Sequence, residues 1–322
     1  MAKLVTGGSG FIGSFVVREL VRQGEEVVVF CRSRGERIRD VEDKIKVVQG
    51  DISDWAQVMN VVKENRVDSI FHMAAMLSLP SEVNPWASFR VNVVGSFNIL
   101  EAARLFDVNT VLFASTAGTY GLGIEESVIT DTTLQRPTTM YGSGKVYVEL
   151  LGRFYRKRFG LDFRSVRIPS LIGPGITTRA LGQYNSWIIE ESAMGRPYEC
   201  YGPENEGVPL LYFKDLVVAL WKLSQKDADS IKTMNYNITG ISRRVSPKEI
   251  ELSVKKYIPD AVISYNPDPA AVAYFKTLHY ERIDDTPARA EWGWKPAYDS
   301  VDAMVQDFIK EAKERPELYG LA

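Results

Sequence analysis

The run Thr6-Gly7-Gly8-Ser9-Gly10-Phe11-Ile12-Gly13 decides how this chain is read. It follows a short apolar stretch, Lys3 to Thr6. It opens a segment, Ser14 to Gln23, with apolar residues at helical spacing. Between a strand and a helix, glycines three residues apart have separate uses. Gly7 lets the chain turn tightly, Gly10 lets backbone approach a pyrophosphate, and Gly13 lets helix and strand pack closely. The helix start then offers unpaired N–H groups and the positive end of a dipole to an anion. By itself such a triplet marks only a tight turn, so its setting has to supply the rest.

That setting is a βα rhythm. Glu26 to Cys31 is a β-branched run suited to a strand buried on both faces. Lys46–Gln49, Ser69–His72, Val111–Ala114 and Phe163–Ile168 read as further strands. Trp55–Glu64, Asn92–Phe106 and Met140–Phe159 read as helices. The order predicts an α/β fold of Rossmann type, a doubly wound parallel sheet with right-handed crossovers. After Pro169 turn signals crowd in at Gly173-Pro174-Gly175, Gly195-Arg196-Pro197 and Tyr201-Gly202-Pro203. We expect a dinucleotide-binding domain over residues 1–170. Residues 171–322 should form a smaller, mainly substrate-binding lobe that crosses back to the first domain.

Composition narrows the function. The 322 residues are 45% hydrophobic and 25% charged, ordinary for a globular enzyme with its own core. A net charge of −2 gives no general attraction to nucleic acid or to an anionic membrane. The basic cluster from Arg153 to Arg158 falls in a helical pattern and reads as a solvated face. Two cysteines, Cys31 and Cys200, and two histidines, His72 and His279, are too few for a disulfide framework or a metal site, and none is expected. The N-terminal stretch does not read as a secretory leader and no window is long and apolar enough for a membrane span, so a cytoplasmic protein is expected.

The chemistry is carried by Thr116, Tyr141 and Lys145. Tyr141 and Lys145 are four apart on a predicted helix, so they share one face. A phenol ordinarily loses its proton near pH 10, too high for a base at neutral pH, and a cation beside it favours the phenolate. A hydroxyl such as that of Thr116, at the end of a preceding strand, can orient the oxygen of a substrate alcohol. Proton removal from that alcohol is what hydride transfer to a nicotinamide requires. Asp51, after the third strand, can accept from an adenine amino group, although it would also serve as a helix N-cap. Met73, Ala74 and Ala75 end the fourth strand with room for a cofactor, while His72 reads as a satisfied core histidine.

Together the runs Thr6–Gly13, Gly50-Asp51-Ile52, His72–Ala75, Asn92–Gly95, Ser115–Gly121 and Tyr141–Lys145 resemble the extended short-chain dehydrogenases, which include nucleotide-sugar epimerases and dehydratases. The resemblance implies that Thr116, not Ser115, is the catalytic hydroxyl. It also implies that Gly7, Gly10, Phe11, Ile12, Gly13, Asp51, Ile52, Met73, Ala74, Ala75, Asn92, Tyr141, Lys145, Ile168 and Ser170 line the cofactor. Further runs resemble the epimerase-like L-threonine 3-dehydrogenases: Arg136–Gly142, Glu149–Gly152, Phe163–Arg167, Tyr236–Gly240, Ser246–Glu249, Ile258–Asp260 and Ile283–Asp285 through Trp292–Trp294. This branch implies oxidation of a β-hydroxy-α-amino acid, with Ser78, Thr116, Tyr141, Thr177, Thr178 and Arg179 as substrate contacts. It also implies a homodimer formed through the helices Asn92–Phe106 and Met140–Phe159.

Departures gather around the substrate. Ser78 and Glu82 keep the branch's pattern, but Leu79 and Pro80 replace small residues, and Arg179 stands where the branch has an acid. That arginine is expected to invert the local charge. At the cofactor's 2′ position Cys31 replaces the usual acid and is followed by Arg32-Ser33-Arg34. Losing the acid removes repulsion against a 2′-phosphate, and arginines bind phosphate by paired charged hydrogen bonds, so NADP is favoured over NAD. The alternative activities are a nucleotide-sugar 4-epimerase or dehydratase and a non-catalytic dinucleotide-binding regulator, against which the intact trio argues.

Overall fold

The computed structural model describes residues 1–180 and 182–321. Its centre is a sheet of seven strands: β1 (Ala2–Thr6), β2 (Val27–Cys31), β3 (Ile45–Gln49), β4 (Val67–His72), β5 (Thr110–Thr116), β6 (Asp162–Ile168) and β7 (Asn235–Asn237). They lie in the order β7-β6-β5-β4-β1-β2-β3 with every pair parallel. The order reverses between β1 and β4, where Thr6 pairs in register with His72. In an open α/β sheet ligands bind outside the carboxyl ends of the strands at this switch point. The glycine turn leaves the end of β1 there, and Met73-Ala74-Ala75 leaves the end of β4.

The strands are apolar on both sides because helices cover both sides. Val5, Val29, Phe71, Leu112 and Val166 face α1 (Phe11–Arg22) and the helix Phe213–Ser224. Their neighbours Leu4, Val28, Ile70, Phe113 and Phe163 face α2 (Trp55–Glu64), α3 (Ser96–Leu105) and α4 (Met140–Phe159). A third apolar cluster, including Tyr184, Ile188, Leu210, Tyr212, Phe275 and Phe308, holds the C-terminal half together. The seventh strand comes from that half and closes the sheet beside β6. Among the described residues no helix is long and apolar enough to cross a membrane.

Two differences from the sequence expectation bear on the site. Strand β5 runs on to Thr116, which pairs with Ile168, so the hydroxyl stands at the very rim of the sheet. The helix expected from Asn92 begins instead with a π-helical turn, Phe89–Gly95, before α3. Asn92 bends its side chain back to the loop after β4, and Gly95 presses on Ile52, where a Cβ would come within 2.6 Å of Cγ1. Such turns recur at functional sites.

Candidate active site

The glycine turn is shaped around backbone contacts that side chains would block. Gly7 adopts a φ of +67°, and a Cβ there would lie 2.7 Å from the Ala74 Cα. A Cβ on Gly13 would lie 2.2 Å from the Gly7 carbonyl, which itself accepts from the Gly10 N–H at 2.9 Å. Gly10 caps α1 without any side-chain hydrogen bond, leaving the first helical N–H groups to another acceptor. Phe11 and Ile12 are half-buried and Gly13 buried, so these donors sit in a concave turn. The cradle fits a dinucleotide pyrophosphate.

Residues at the ends of β2 and β3 surround the same turn. Cys31 is buried, its thiol beside Ser9 and pushed up by that burial. Arg32, Ser33 and Arg34 are exposed; Arg34 pairs with Glu42 at 2.8 Å on the surface, and among the described residues the Arg32 guanidinium makes no hydrogen bond. The Asp51 carboxylate accepts from the Ser53 N–H at 2.8 Å, while the cap of α2 is Asp54, which takes the Gln57 N–H at 3.0 Å. Asp51 is thus free of the capping role. Ile52 is buried, and its carbonyl accepts from the Asn98 amide.

Beyond β4, Ala74 donates its N–H to Thr6 Oγ1 at 3.3 Å, and Met73, Ala74 and Ala75 are half-buried. His72 is fully enclosed, with Nδ1 2.7 Å from Thr6 Oγ1 and Nε2 2.9 Å from Ser96 Oγ. Burial and then the nearby Lys145 push its pKa down to about 3, so it is a neutral structural group. Asn92 clamps the next loop, accepting from the Met76 N–H at 2.8 Å and donating to the Met76 carbonyl at 2.9 Å. Glu82, in the short helix Ser78–Val83 that follows, accepts from the Met140 N–H at 2.8 Å, at the start of α4.

Tyr141 opens α4, whose cap is Thr139. One turn on, the Lys145 ammonium donates to the Ala114 carbonyl at 2.6 Å and stands 4.4 Å from the Phe113 ring centre and 5.5 Å from that of Tyr141. Thr116 Oγ1 accepts from the Gly118 N–H at 3.1 Å. The Gly118 carbonyl in turn packs so closely on α4 that a Cβ on Gly142 would lie 2.7 Å from it. The turn after Thr116 therefore presses on the residue next to Tyr141. Ser115 faces the other way, donating to buried Glu149 at 2.5 Å.

The electrostatics depart from the expected cation-activated phenolate. Burial pushes the Tyr141 phenol up, and burial brings Lys145 down to about 7, with only Glu149 opposing it. The reason is geometric: the ammonium is hydrogen-bonded to a carbonyl rather than to the phenol, and both groups lie in a poorly solvated cleft.

The sequence profile of the NAD dependent epimerase/dehydratase family matches residues 3–239. The chain belongs to this family. It is 31% identical to the mitochondrial L-threonine 3-dehydrogenase of Bos taurus, with 94% of this chain and 80% of that protein covered. It superposes on an L-threonine dehydrogenase from Phytophthora infestans with a TM-score of 0.88 at 32% identity, covering 98% of this chain and all of the other. The UDP-glucose 4-epimerase of Thermus thermophilus, solved in complex with NAD, gives 0.80 at 26% identity, covering 97% of this chain and all of that one. As a member of the epimerase/dehydratase family the chain is an NAD-dependent enzyme type acting on small molecules. Among the described residues no group of three or more His, Cys, Asp or Glu is placed to hold a metal ion.

On the substrate side, this family member keeps some expected residues near the site and diverts others. Ser78 opens the short helix Ser78–Val83, half-buried, while Leu79 and Pro80 turn to solvent. Ile168 is buried at the end of β6, and Ser170 stands just beyond it. Thr178 is half-buried and Thr177 exposed. Arg179 does not invert the local charge: it pairs with Asp268 at 2.9 Å and lies 4.3 Å from the Tyr201 ring centre. Asp268 supplies the missing acid from another segment.

Arg37 was not singled out by the sequence. Its guanidinium lies 5.6 Å from the Phe11 ring centre and donates to the Gly175 carbonyl at 2.5 Å, with Nη1 buried and unpartnered. In Glu36-Arg37-Ile38-Arg39 nothing local separates it from exposed Arg39; only the contact with Gly175 does.

Proposed function

We propose that this chain oxidises a small β-hydroxy-α-amino acid, L-threonine or a close relative, at its secondary alcohol. The observation that carries the reading is the convergence of Thr116, Tyr141 and Lys145 at the rim of the sheet, beside the glycine cradle. The two threonine dehydrogenases support it at 31% and 32% identity. The glycine turn Gly7–Gly13 would hold a dinucleotide, which would supply the acceptor for the hydride of the carbinol carbon. Tyr141 takes the hydroxyl proton, so the alcohol leaves as a ketone with its charge balanced. Thr116 holds the alcohol oxygen by a hydrogen bond. Lys145 would hold the ribose, and in its protonated form, as it donates to the Ala114 carbonyl, it favours the phenolate. Because burial pushes the Tyr141 phenol up, the proton it must give up leaves more readily at higher pH, so oxidation should rise with pH and the reverse reduction should fall.

For the cofactor we infer a preference for NADP. A buried Cys31 thiol offers no carboxylate to repel a 2′-phosphate, and the exposed guanidinium of the next residue, Arg32, which makes no hydrogen bond among the described residues, is a ready donor. The catalytic and cofactor-lining residues expected from sequence are carried into this reading unchanged. A homodimer formed through α3 and α4 belongs to the same reading: Phe97, Leu105, Tyr147, Leu150, Phe154 and Phe159 are exposed on these helices.

A nucleotide-sugar 4-epimerase or dehydratase would use the same trio. It would also need cations along a groove for the diphosphate, and Arg179 is already neutralised by Asp268. A panel of L-threonine, related amino alcohols and UDP- or GDP-sugars, followed by NAD(P)H absorbance and product analysis, tests the choice. Turnover of L-threonine that Tyr141→Phe lowers about 100- to 10,000-fold, with cofactor binding kept, is expected. Turnover of sugar nucleotides alone would overturn the reading.

A further inference from the structure

The loop bearing Thr177, Thr178 and Arg179 ends in two amide side chains that the chemistry above leaves unused. Gln183 and Asn185 flank the start of the helix Tyr184–Ala193 and are 8% and 0% exposed. Among the described residues Gln183 Nε2 and Asn185 Oδ1 are both enclosed without a hydrogen-bond partner. A buried polar group left unpaired is costly, so two of them two residues apart call for a ligand. Tyr184 between them also has an unpaired hydroxyl, but its ring lies against Tyr201 and Phe275 in the apolar cluster of the lobe.

The orientation of the Asn185 amide follows from its neighbour. The Ser170 hydroxyl spends its one proton on the Gly182 carbonyl at 3.1 Å. It can then only accept from Asn185, whose Nδ2 donates to it at 3.3 Å. The free atom of Asn185 is therefore an acceptor; the unpartnered atom of Gln183 is its Nε2, a donor. Gly182 is needed to bring these groups together, since a Cβ there would lie 2.9 Å from Ser170 Oγ. Ser170 is two residues past Ile168, the strand partner of Thr116, so the cluster belongs to the same rim of the sheet as the trio.

We propose that Asn185 and Gln183 determine specificity by reading an α-amino-acid head group: Asn185 Oδ1 accepts from its ammonium and Gln183 Nε2 donates to its carboxylate. This rests on the hydroxy-amino-acid reading and sharpens it. A zwitterion offers one donor and one acceptor, matching the two free atoms. A diphosphate offers acceptors only, and would leave the Asn185 oxygen facing negative charge. A hydroxy acid without the amino group would leave it unpaired.

The test is steady-state kinetics of the cofactor-saturated enzyme on L-threonine and on 3-hydroxybutyrate, which lacks the ammonium. Asn185→Leu should raise KM for L-threonine about tenfold or more, with kcat little changed and 3-hydroxybutyrate unaffected. Gln183→Met should raise KM for both, because both carry the carboxylate. Asn185→Asp keeps an acceptor and should keep KM for L-threonine, which also covers a failure of the leucine variant to fold. An unchanged KM in Asn185→Leu, an equal rise for both substrates, or a tenfold rise in Asn185→Asp would overturn the proposal while L-threonine oxidation stood. A wild-type enzyme that turned over sugar nucleotides alone would overturn the functional reading itself, and the proposal with it.

Discussion

At the scale of single residues, the motif side chains were legible because their spacing is local. Gly7, Gly10 and Gly13 sit in one turn, and Tyr141 and Lys145 on one helical face, whatever the rest of the chain does. Partners across the chain were not legible. Asp268, which neutralises Arg179, lies 89 residues away, and no pattern near Arg179 points to it. Cys31→Asp should shift cofactor preference toward NAD by about tenfold, near the value of one charged hydrogen bond. Competition binding of NADH against NADPH checks it; an unchanged ratio would remove the case for NADP. Lys145 makes a second prediction. Its folded value of about 7 lies below the ordinary lysine value of 10.5, so between these limits the unfolded chain binds a proton that the folded chain lacks. Stability of the cofactor-free protein should therefore rise between pH 7 and 9, by at most about 1.4 kcal/mol per unit. Thermal melts of Lys145→Met should lose that increment.

At the scale of elements, strand and helix identities followed from periodicity, but their ends followed from tertiary contacts. The extra residues that carry β5 to Thr116 are set by pairing with β6, and the π-helical turn by the Asn92 side chain. A buried polar network below the trio was invisible for the same reason. Glu149 of α4 accepts from Ser115 of β5, from Gln135 at 3.0 Å and from Arg167 of β6 at 2.6 Å. Arg167 also donates to the Tyr120 hydroxyl and to the Asp131 carbonyl, both at 2.8 Å. This network bolts α4 to the sheet one turn beyond Lys145. Glu149→Gln would leave the Arg167 charge uncompensated and should cost about 3–5 kcal/mol. Chemical denaturation measures the loss, and a change under about 1 kcal/mol would show that the pair does little.

At the scale of the whole molecule, the apolar residues on α3 and α4 are numerous for a solvent face, and a second copy would cover them. Leu150→Glu with Phe154→Glu should give a monomer in sedimentation analysis while the wild type sediments as a dimer. A monomeric wild type would remove the dimer from the functional reading. The sequence changes rhythm after Pro169, and the central sheet draws strands from both sides of that point, as the crossing back expected of the later residues allows. Its outermost strand, Asn235–Asn237, is supplied by the later residues, and its Asn237 N–H and side chain meet Asp131 at 2.5 Å and the Tyr120 hydroxyl at 2.6 Å. A gene severed after residue 170 would thus expose the raw flank of β6, whose unpaired amides and carbonyls would recruit neighbouring chains. Chimaeras that swap substrate lobes between relatives have to return this three-residue strap to the first half, or the product will precipitate before its chemistry can be assayed.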